Sequence, residues 1–568
     1  MAEFDLLIRG GSVADGTGAP LRVADVAIKD GVVVEVGRAT GSAHRVIDAD
    51  GALVTPGLVD IHTHYDGQAT WAAELAPSET NGVTTVVMSN CGVGFAPVRP
   101  GDQQRLIELM EGVEDIPGTA LHEGLPWDWQ SFPEFLDSLD RRPHSIDIAA
   151  QVTHGPLRLF VMGERGAARE PATAEEIAEM GRLAAEAVRA GALGFTTSRT
   201  LNHKTSRGEP TPTLTAAREE LVGIAEAIGR SGAGVFQLIT DFPDFAHEIG
   251  TMREMAAVSG RPLSVSLTQV HSRGDQWRDV LEAITDANAD GLVMRAQVAT
   301  RAIGILVGLQ ATINPLAKCP EFAAVAGRPV AEQAALLAEP QRRAAILEEY
   351  RAAVHTLTDN LECTFVLSDP PDYEPPPSAS VAAMAARRGM RADELLYELL
   401  LEDEGRRLLY VPIINFAAGD LSAVAEMLEH PYTVPGLGDG GAHVGIISDG
   451  SFPTTLLAHW GRDRRRGPRF PIEWLVRRHT HDTAAAVGLL DRGLLAPGYK
   501  ADVNVIDFDT LAPSAPRMVY DLPAGGKRLL QPARGYLQTI VAGTVVRDHG
   551  EATGAAPGRL VRGAQPAP

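Results

Sequence analysis

Short apolar runs that end in glycine turns open and close the chain. Between residues 4 and 54 they read FDLLIRGG, ADVAIKDG, VVVEVG, HRVIDADG and ALVTPG, and ADVNVIDFD and YLQTIVAGTVVRDHG follow after residue 500. Alternation of period two closed by Asp-Gly or Gly-Gly is the mark of β-hairpins. Neither end is long enough to bury a core alone, so the pattern predicts one small β-domain assembled from both termini, over 1–55 plus 492–568. Residues 56–491 carry a different rhythm. Eight near-continuous apolar runs recur with helical stretches between them: 57–64, 84–91, 145–154, 191–198, 234–241, 262–269, 292–298 and 433–440. The clearest helical stretches, AEEIAEMGRLAAEAVRAG and AREELVGIAEAIGRSG, repeat apolar residues at intervals of three and four. Strands apolar on both faces and alternating with helices belong to a parallel sheet covered on both sides. Eight of them predict a (β/α)8 TIM-type barrel, whose chemistry gathers at the carboxyl ends of the strands.

Two insertions interrupt the rhythm, near 99–144 and 315–430. The first carries Trp127, Trp129 and several prolines; the second holds AEPQRRAAILEEYRAAVHTL and PPDYEPPP. Loops of that length serve as lids, binding segments or contacts between copies, so a homo-oligomer is one expected use.

Composition narrows the class of partner. The chain has 568 residues, 45% hydrophobic and 22% charged, which is ordinary for a globular protein with a generous core. Its formal charge is −22, a surface that repels nucleic acid and anionic membrane. Three scattered cysteines do not make a disulfide framework, and the first residues contain no basic-then-apolar leader. No stretch is long and apolar enough for a transmembrane helix. These features together predict a cytoplasmic protein.

The candidate chemistry sits at strand ends. His62 and His64 occupy alternate positions at the end of the first run, so their imidazoles share a face and can offer two nitrogens to a divalent metal. Asp439 ends the eighth run in GLGDGGAHVG, where glycines on both sides let a ligand approach closely. Cys91 ends the second run in MSNCGVG and reads equally as inert packing or as a thiolate ligand of zinc. His154 ends the third run and is placed to stabilise an oxyanion. Arg199 and His203 follow the fourth run, and Arg295 and Arg301 lie on or after the seventh. These are candidate substrate contacts, the arginines for gripping a carboxylate in bidentate fashion. No dinucleotide-binding glycine motif or serine-hydrolase elbow is present.

The segments PGLVDIHTHYD, NGVTTVVMSNCG, VTHGPLR, GALGFTTS, DRGLLAPGYKADVNVIDFD and GEATGAAPGRLVRG, spread over nearly the whole chain, resemble the N-acyl-D-amino-acid deacylases of the amidohydrolase superfamily. The resemblance implies a zinc site at His62, His64, Cys91 and Asp439, one or two divalent ions, and hydrolysis of the amide of an N-acyl amino acid of D configuration by metal-activated water. Asp439 would then carry the proton. It also marks a departure. The family places metal-binding histidines at the ends of strands five and six, where this chain reads VFQLITDF and LSVSLTQVHSR; His271 falls a few residues late. That leaves a single-metal or altered site on strands one, two and eight. Two alternatives follow: a cyclic amide, carbamate or other non-peptide amide as substrate, or a non-catalytic relative that has lost its metal.

Overall fold

The eight apolar runs become eight parallel strands in the computed structural model, which describes residues 2–353, 360–447 and 449–568. They are β1 (Leu58–Asp60), β2 (Val83–Met88), β3 (Asp147–Ala150, continued by Val152–Thr153), β4 (Gly194–Arg199), β5 (Val235–Thr240), β6 (Leu263–Leu267), β7 (Met294–Val298) and β8 (Thr433–Pro435). Each pairs in parallel with the next. A bridge between Thr63 and Gly440 closes the ring. Helices cover the outside, and their ends follow local rules. The helix Ala174–Ala190 starts on a capping box, Thr173 with Glu176, and stops at Gly191. Its buried side (Met180, Ala184, Ala187, Val188) packs beside Leu221 and Ile224 of the helix Arg218–Gly229.

Both termini contribute to a nine-stranded sheet. Leu53–Pro56, from the first segment, pairs antiparallel with Val503–Ile506 from the last, and this seam joins the two halves. Leu6, Ile8, Val26, Ile28, Val54, Val503, Val505 and Ile540 form its buried core. Two pieces of the C-terminal segment leave this sheet. The hairpin Arg517–Leu522/Gly526–Leu530 reaches the loop after β8, where the Leu529 N–H donates to the Val444 carbonyl at 2.5 Å. The last residues return to the barrel, with Leu560 bridging Ile148 of β3.

The first insertion folds as the helices Gln103–Glu114, Gly118–Gly124 and Phe132–Asp140, around a cluster of Phe95, Trp127, Trp129, Phe132 and Phe135. The second is a subdomain with its own core. A three-stranded antiparallel sheet (Ile303–Val307, Phe365–Val366, Leu409–Ile414) packs its Ile305, Val307 and Leu409 with Leu395, Leu396 and Leu400 of the helix Ala392–Leu401. The charged helical stretch of 338–357 appears as Pro340–Ala352; its last four residues lie outside the described residues. Among the described residues no helix is long and apolar enough to cross a membrane.

One ion-pair cluster ties the parts together. Arg492, just ahead of the C-terminal strands, donates to Asp147 of β3 at 2.6 Å, and Lys500 Nζ lies 3.1 Å from the same carboxylate. All three are buried. Burial would raise the Asp147 pKa, but Lys500 and Arg492 hold it below 3.8. The ionised form is therefore favoured in the folded state, and its contribution is fully present above the unfolded carboxyl value and fades as pH falls toward the depressed one. Replacing Arg492 with Ala leaves the buried Asp147 carboxylate with Lys500 as its one remaining cation, for an expected loss of about 1–3 kcal/mol. The loss should appear as a lowered thermal midpoint at pH 7 that shrinks below pH 4; an unchanged midpoint at pH 7 refutes the assignment.

Candidate metal centre at the barrel mouth

The site grows from the closure of β8 onto β1. Past Asp60 the chain continues through His62 and His64, whose side chains face the interior and mouth of the barrel. The Asp439 N–H donates to the His62 carbonyl at 3.0 Å, and the His64 N–H to the Gly440 carbonyl at 2.8 Å. Gly441 permits this approach: its φ is +91°, and a Cβ there would meet the His64 carbonyl oxygen at 2.9 Å. Three non-glycine residues of the site, Cys91, Asp439 and His443, also hold φ between +45° and +54°. Left-handed backbone costs about 1–3 kcal/mol per residue and persists where the surroundings enforce it, commonly at functional sites.

The donors converge. His62 Nε2 lies 3.3 Å from Cys91 Sγ and 3.4 Å from Asp439 Oδ1. His64 Nε2 lies 3.6 Å from the same oxygen. The ligand atoms of His62, His64 and Cys91 are all within 4.8 Å of one another. Asp439 Oδ1 is buried with no hydrogen-bond partner among the described residues, as expected of an oxygen aimed at an ion. Two imidazoles, a thiol and a carboxylate suit a zinc-like divalent cation.

Neighbours set the state of each donor. His62 Nδ1 bonds to Gln297 Oε1 of β7 at 2.6 Å, which leaves Nε2 as the ligand atom. Burial lowers its pKa to about 4, so at neutral pH the ring carries no charge. Burial likewise pushes the Cys91 thiol up to about 12, so the proton leaves readily only when a cation takes its place. At Asp439 burial is overridden by His64, His62 and His443, which hold the carboxylate ionised. His64 runs the other way from His62: burial would lower it, but Glu114 and then Asp439 raise it well above 6.5.

Strands five and six carry no histidine. On β5, Gln237 accepts from the Cys91 N–H at 3.0 Å and donates to Ser266 of β6 at 3.1 Å. This amide and hydroxyl, bonded to each other, are weaker metal ligands than imidazoles, so strands five and six do not fit a second ion. His271 sits exposed in the short helix His271–Arg273 and does not substitute for either histidine.

Other expected contacts need correction. His154 is fully buried, and both ring nitrogens are taken, by Thr197 Oγ1 and Glu220 Oε1, each at 2.8 Å. Glu220 in turn accepts from Arg158 at 2.9 Å, so His154 belongs to a structural network and cannot stabilise an oxyanion. Arg199 is held bidentate by Glu248. Arg295 lies at the amino end of β7, paired with Ser264, away from the mouth. Arg301 is buried on Asp449 at 3.0 Å and stacks on the Tyr373 ring. These four arginine and histidine side chains therefore do not reach a substrate in this geometry. His203 does face the site. Its Nδ1 bonds to Ser198 Oγ at 2.9 Å, and burial, with the charges of His443 and His64, lowers its pKa to about 3.

Two residues escaped the sequence reading. His443 Nε2 lies 3.8 Å from Asp439 Oδ2 and 3.7 Å from Glu114 Oε2, and Glu114 Oε1 lies 3.2 Å from His64 Nδ1. His443 was within sight, four residues after Asp439 in DGGAH. Glu114 had no signal, because it comes from the first insertion and only the fold brings it to the mouth.

A metal centre of this donor set at the carboxyl end of a (β/α)8 barrel, with a terminal β-domain, defines the class of metal-dependent amidohydrolases. Residues 45–547 match the model of the Amidohydrolase family (Amidohydro_3), and the chain belongs to that family. Within it the chain is related to the N-acyl-D-amino-acid deacylases. It is 27% identical to a D-aminoacylase of Alcaligenes xylosoxydans xylosoxydans, over 90% of each chain. It is 28% identical to an N-acyl-D-aspartate deacylase of the same organism, over 99% of this chain and 95% of that one. The crystal structure of a D-aminoacylase, described as defining a novel subset of amidohydrolases, matches with a TM-score of 0.65 at 25% identity, covering 98% of this chain and 100% of the other. Another structure at the same TM-score, coverage and identity is described by the binuclear metal centre of D-aminoacylase, with one-metal activation and second-metal attenuation.

The buried His154 network yields a direct test. His154→Ala leaves Thr197 Oγ1 without its ring partner and Glu220 with Arg158 alone, and is expected to cost about 1–3 kcal/mol of stability. Calorimetry should show the lower midpoint; a stable protein with a collapsed turnover number would return His154 to the chemistry.

Proposed function

We propose that this chain hydrolyses the amide bond of an N-acyl amino acid, of D configuration, releasing a carboxylate and a free amino acid. The observation that carries the reading is the convergence of His62, His64, Cys91 and Asp439 at the barrel mouth. The substrate class and its configuration are supported by the relatives, which are deacylases of N-acyl-D-amino acids. His62, His64 and Cys91, with Asp439, would hold a divalent ion, with zinc as the expected metal. Such an ion supplies polarisation of the scissile carbonyl and acidification of a water.

The protein's own residues do the rest. Asp439, ionised in the resting site, accepts the proton of the attacking water and returns it to the amine nitrogen as the C–N bond breaks. Gln297 fixes the His62 ring, and the Gln237 amide anchors the Cys91 backbone. His203 is the imidazole available to meet the substrate oxygen in place of His154. The Gln237–Ser266 pair, standing where the relatives' family has histidines, favours a second reading in which the bond cut belongs to a cyclic amide or carbamate.

Turnover of a panel of N-acyl-D- and N-acyl-L-amino acids, hydantoins and carbamates by the zinc-loaded chain separates these readings. Selective release of amine from the acyl-D-amino acids is the expected result, and activity confined to the ring substrates overturns it. Asp439→Asn should lower kcat by about 10²–10⁴-fold on whichever substrate is accepted, since general acid–base catalysis contributes on that order. Full turnover in that variant removes Asp439 from the proposed role.

A further inference from the structure

The acidity of the chain is not evenly spread. From Arg462 to Arg469 it reads RDRRRGPR, with five arginines to one aspartate. This segment leads from the π-turn His459–Asp463 to the helix Ile472–His479. Its centre is a buried pair: Arg464 donates from Nε and Nη2 to the Glu374 carboxylate at 3.1 and 3.2 Å, and stacks on the Trp460 ring. Gly467 lets the chain turn over that pair, since its φ is +149° and a Cβ there would meet the Arg464 guanidinium at 2.7 Å. The neighbouring arginines line a cavity of about 1210 Å³, walled also by residues 370–376 of the second insertion and 509–513 of the C-terminal segment. No residue of the metal centre lines it. Sites for small molecules run from about 300 to 1,000 Å³, so there is room for a whole ligand.

Charge in the cavity is unbalanced. Six arginines and four carboxylates line it, and two of the carboxylates are already taken. Glu374 is held by Arg464 and by His459 at 3.1 Å, and Asp463 accepts from Arg462 at 2.6 Å. Asp372 and Asp509 therefore face four arginines that have no carboxylate partner among the described residues. Two of these are fixed by backbone alone: Arg466 donates to the Gly419 and Pro375 carbonyls at 2.8 and 3.2 Å, and Arg469 to the Arg462 carbonyl at 2.8 Å. Carbonyls orient a guanidinium without cancelling its charge. The other two, Arg465 and Arg534, are exposed, and their side chains have no hydrogen bond or ion pair among the described residues. Arg534 comes from the C-terminal segment, so the cations approach the cavity from different parts of the chain.

We infer that this cavity binds a small molecule carrying a chain of phosphates, held by Arg465, Arg466, Arg469 and Arg534. Four guanidiniums call for several negative charges in one ligand, which a single carboxylate does not supply. The planar fork of arginine matches phosphate oxygens in pairs. A nucleic acid would have to lie against the surface of a chain whose formal charge is −22, whereas a small anion meets the field focused inside the cleft. The site stands apart from the metal centre and does not depend on the hydrolase reading.

The test is calorimetric titration of the full zinc-loaded chain with sodium tripolyphosphate and, separately, with ATP, without magnesium and at about 0.15 M ionic strength. Saturable binding at one site per chain is expected. The double variant Arg465→Ala/Arg534→Ala removes two exposed side chains, so its thermal midpoint should match wild type. Its affinity for the phosphate chain should fall at least about tenfold, since charge-assisted hydrogen bonds are the strong ones. Binding of both probes assigns recognition to the phosphate chain, and binding of one names its source as inorganic or nucleotide. Stripping of zinc by the phosphates would give the same heat in the double variant, so an undiminished response there overturns the site. Citrate bound as tightly as tripolyphosphate overturns the choice of phosphate. No saturable binding of either probe, or binding of an oligonucleotide alone, overturns the proposal as a whole.

Discussion

Everything at the mouth depends on the contact between the end of β1 and the end of β8. Two backbone hydrogen bonds, from the Asp439 N–H to the His62 carbonyl and from the His64 N–H to the Gly440 carbonyl, lock the last barrel strand to the first. They also set the distance between carboxylate and imidazoles before any ion arrives. The lock requires a backbone that few residues tolerate, which is why glycines surround Asp439 and why Asp439 and His443 themselves sit in the left-handed region. Strain of this kind is affordable because the barrel supplies a large buried core on every other strand. Rigidity in turn holds the donor atoms close together where a cation can be taken up.

The same economy runs outward from the first ring of side chains. Gln297 holds His62, Gln237 holds the backbone of Cys91, and Ser266 holds Gln237. Barrel interiors are usually filled by branched apolar residues. Here the upper interior is instead a chain of amides and hydroxyls that orients ligands. Gln237, reaching across the interior from β5, braces the backbone of Cys91 and keeps that part of the site ordered.

Much of this was legible in the residues, for reasons that are themselves physical. Parallel strands buried on both faces write long apolar runs, so all eight could be read directly, and His62, His64 and Asp439 follow from being at strand ends. The terminal β-domain was legible because hairpin turns demand glycine. His154 and Arg199 misled because a strand-end position fixes where a side chain starts but not which partner reaches it first. Glu220 and Glu248, on helices outside the barrel, claim both, and nothing in a single sequence pairs residues so far apart. Glu114 was invisible for the mirror-image reason: its insertion has no strand to give it an address, and its place is set by two hydrogen bonds to the loop after β8.

That asymmetry bears on how such a site can change. Ligands on barrel strands are tied to the geometry of the whole ring, so losing one is difficult to repair on the ring itself. An inserted helix is tethered at few points and can bring a new carboxylate wherever its end is pinned. Glu114 has that freedom, and its burial against His64 and His443 imposes a cost that a hydrophobic residue in the same place would avoid. Its ion pairs with His64 and His443 offset part of that cost, so the end of an inserted helix sets the charge on a histidine of the first barrel strand.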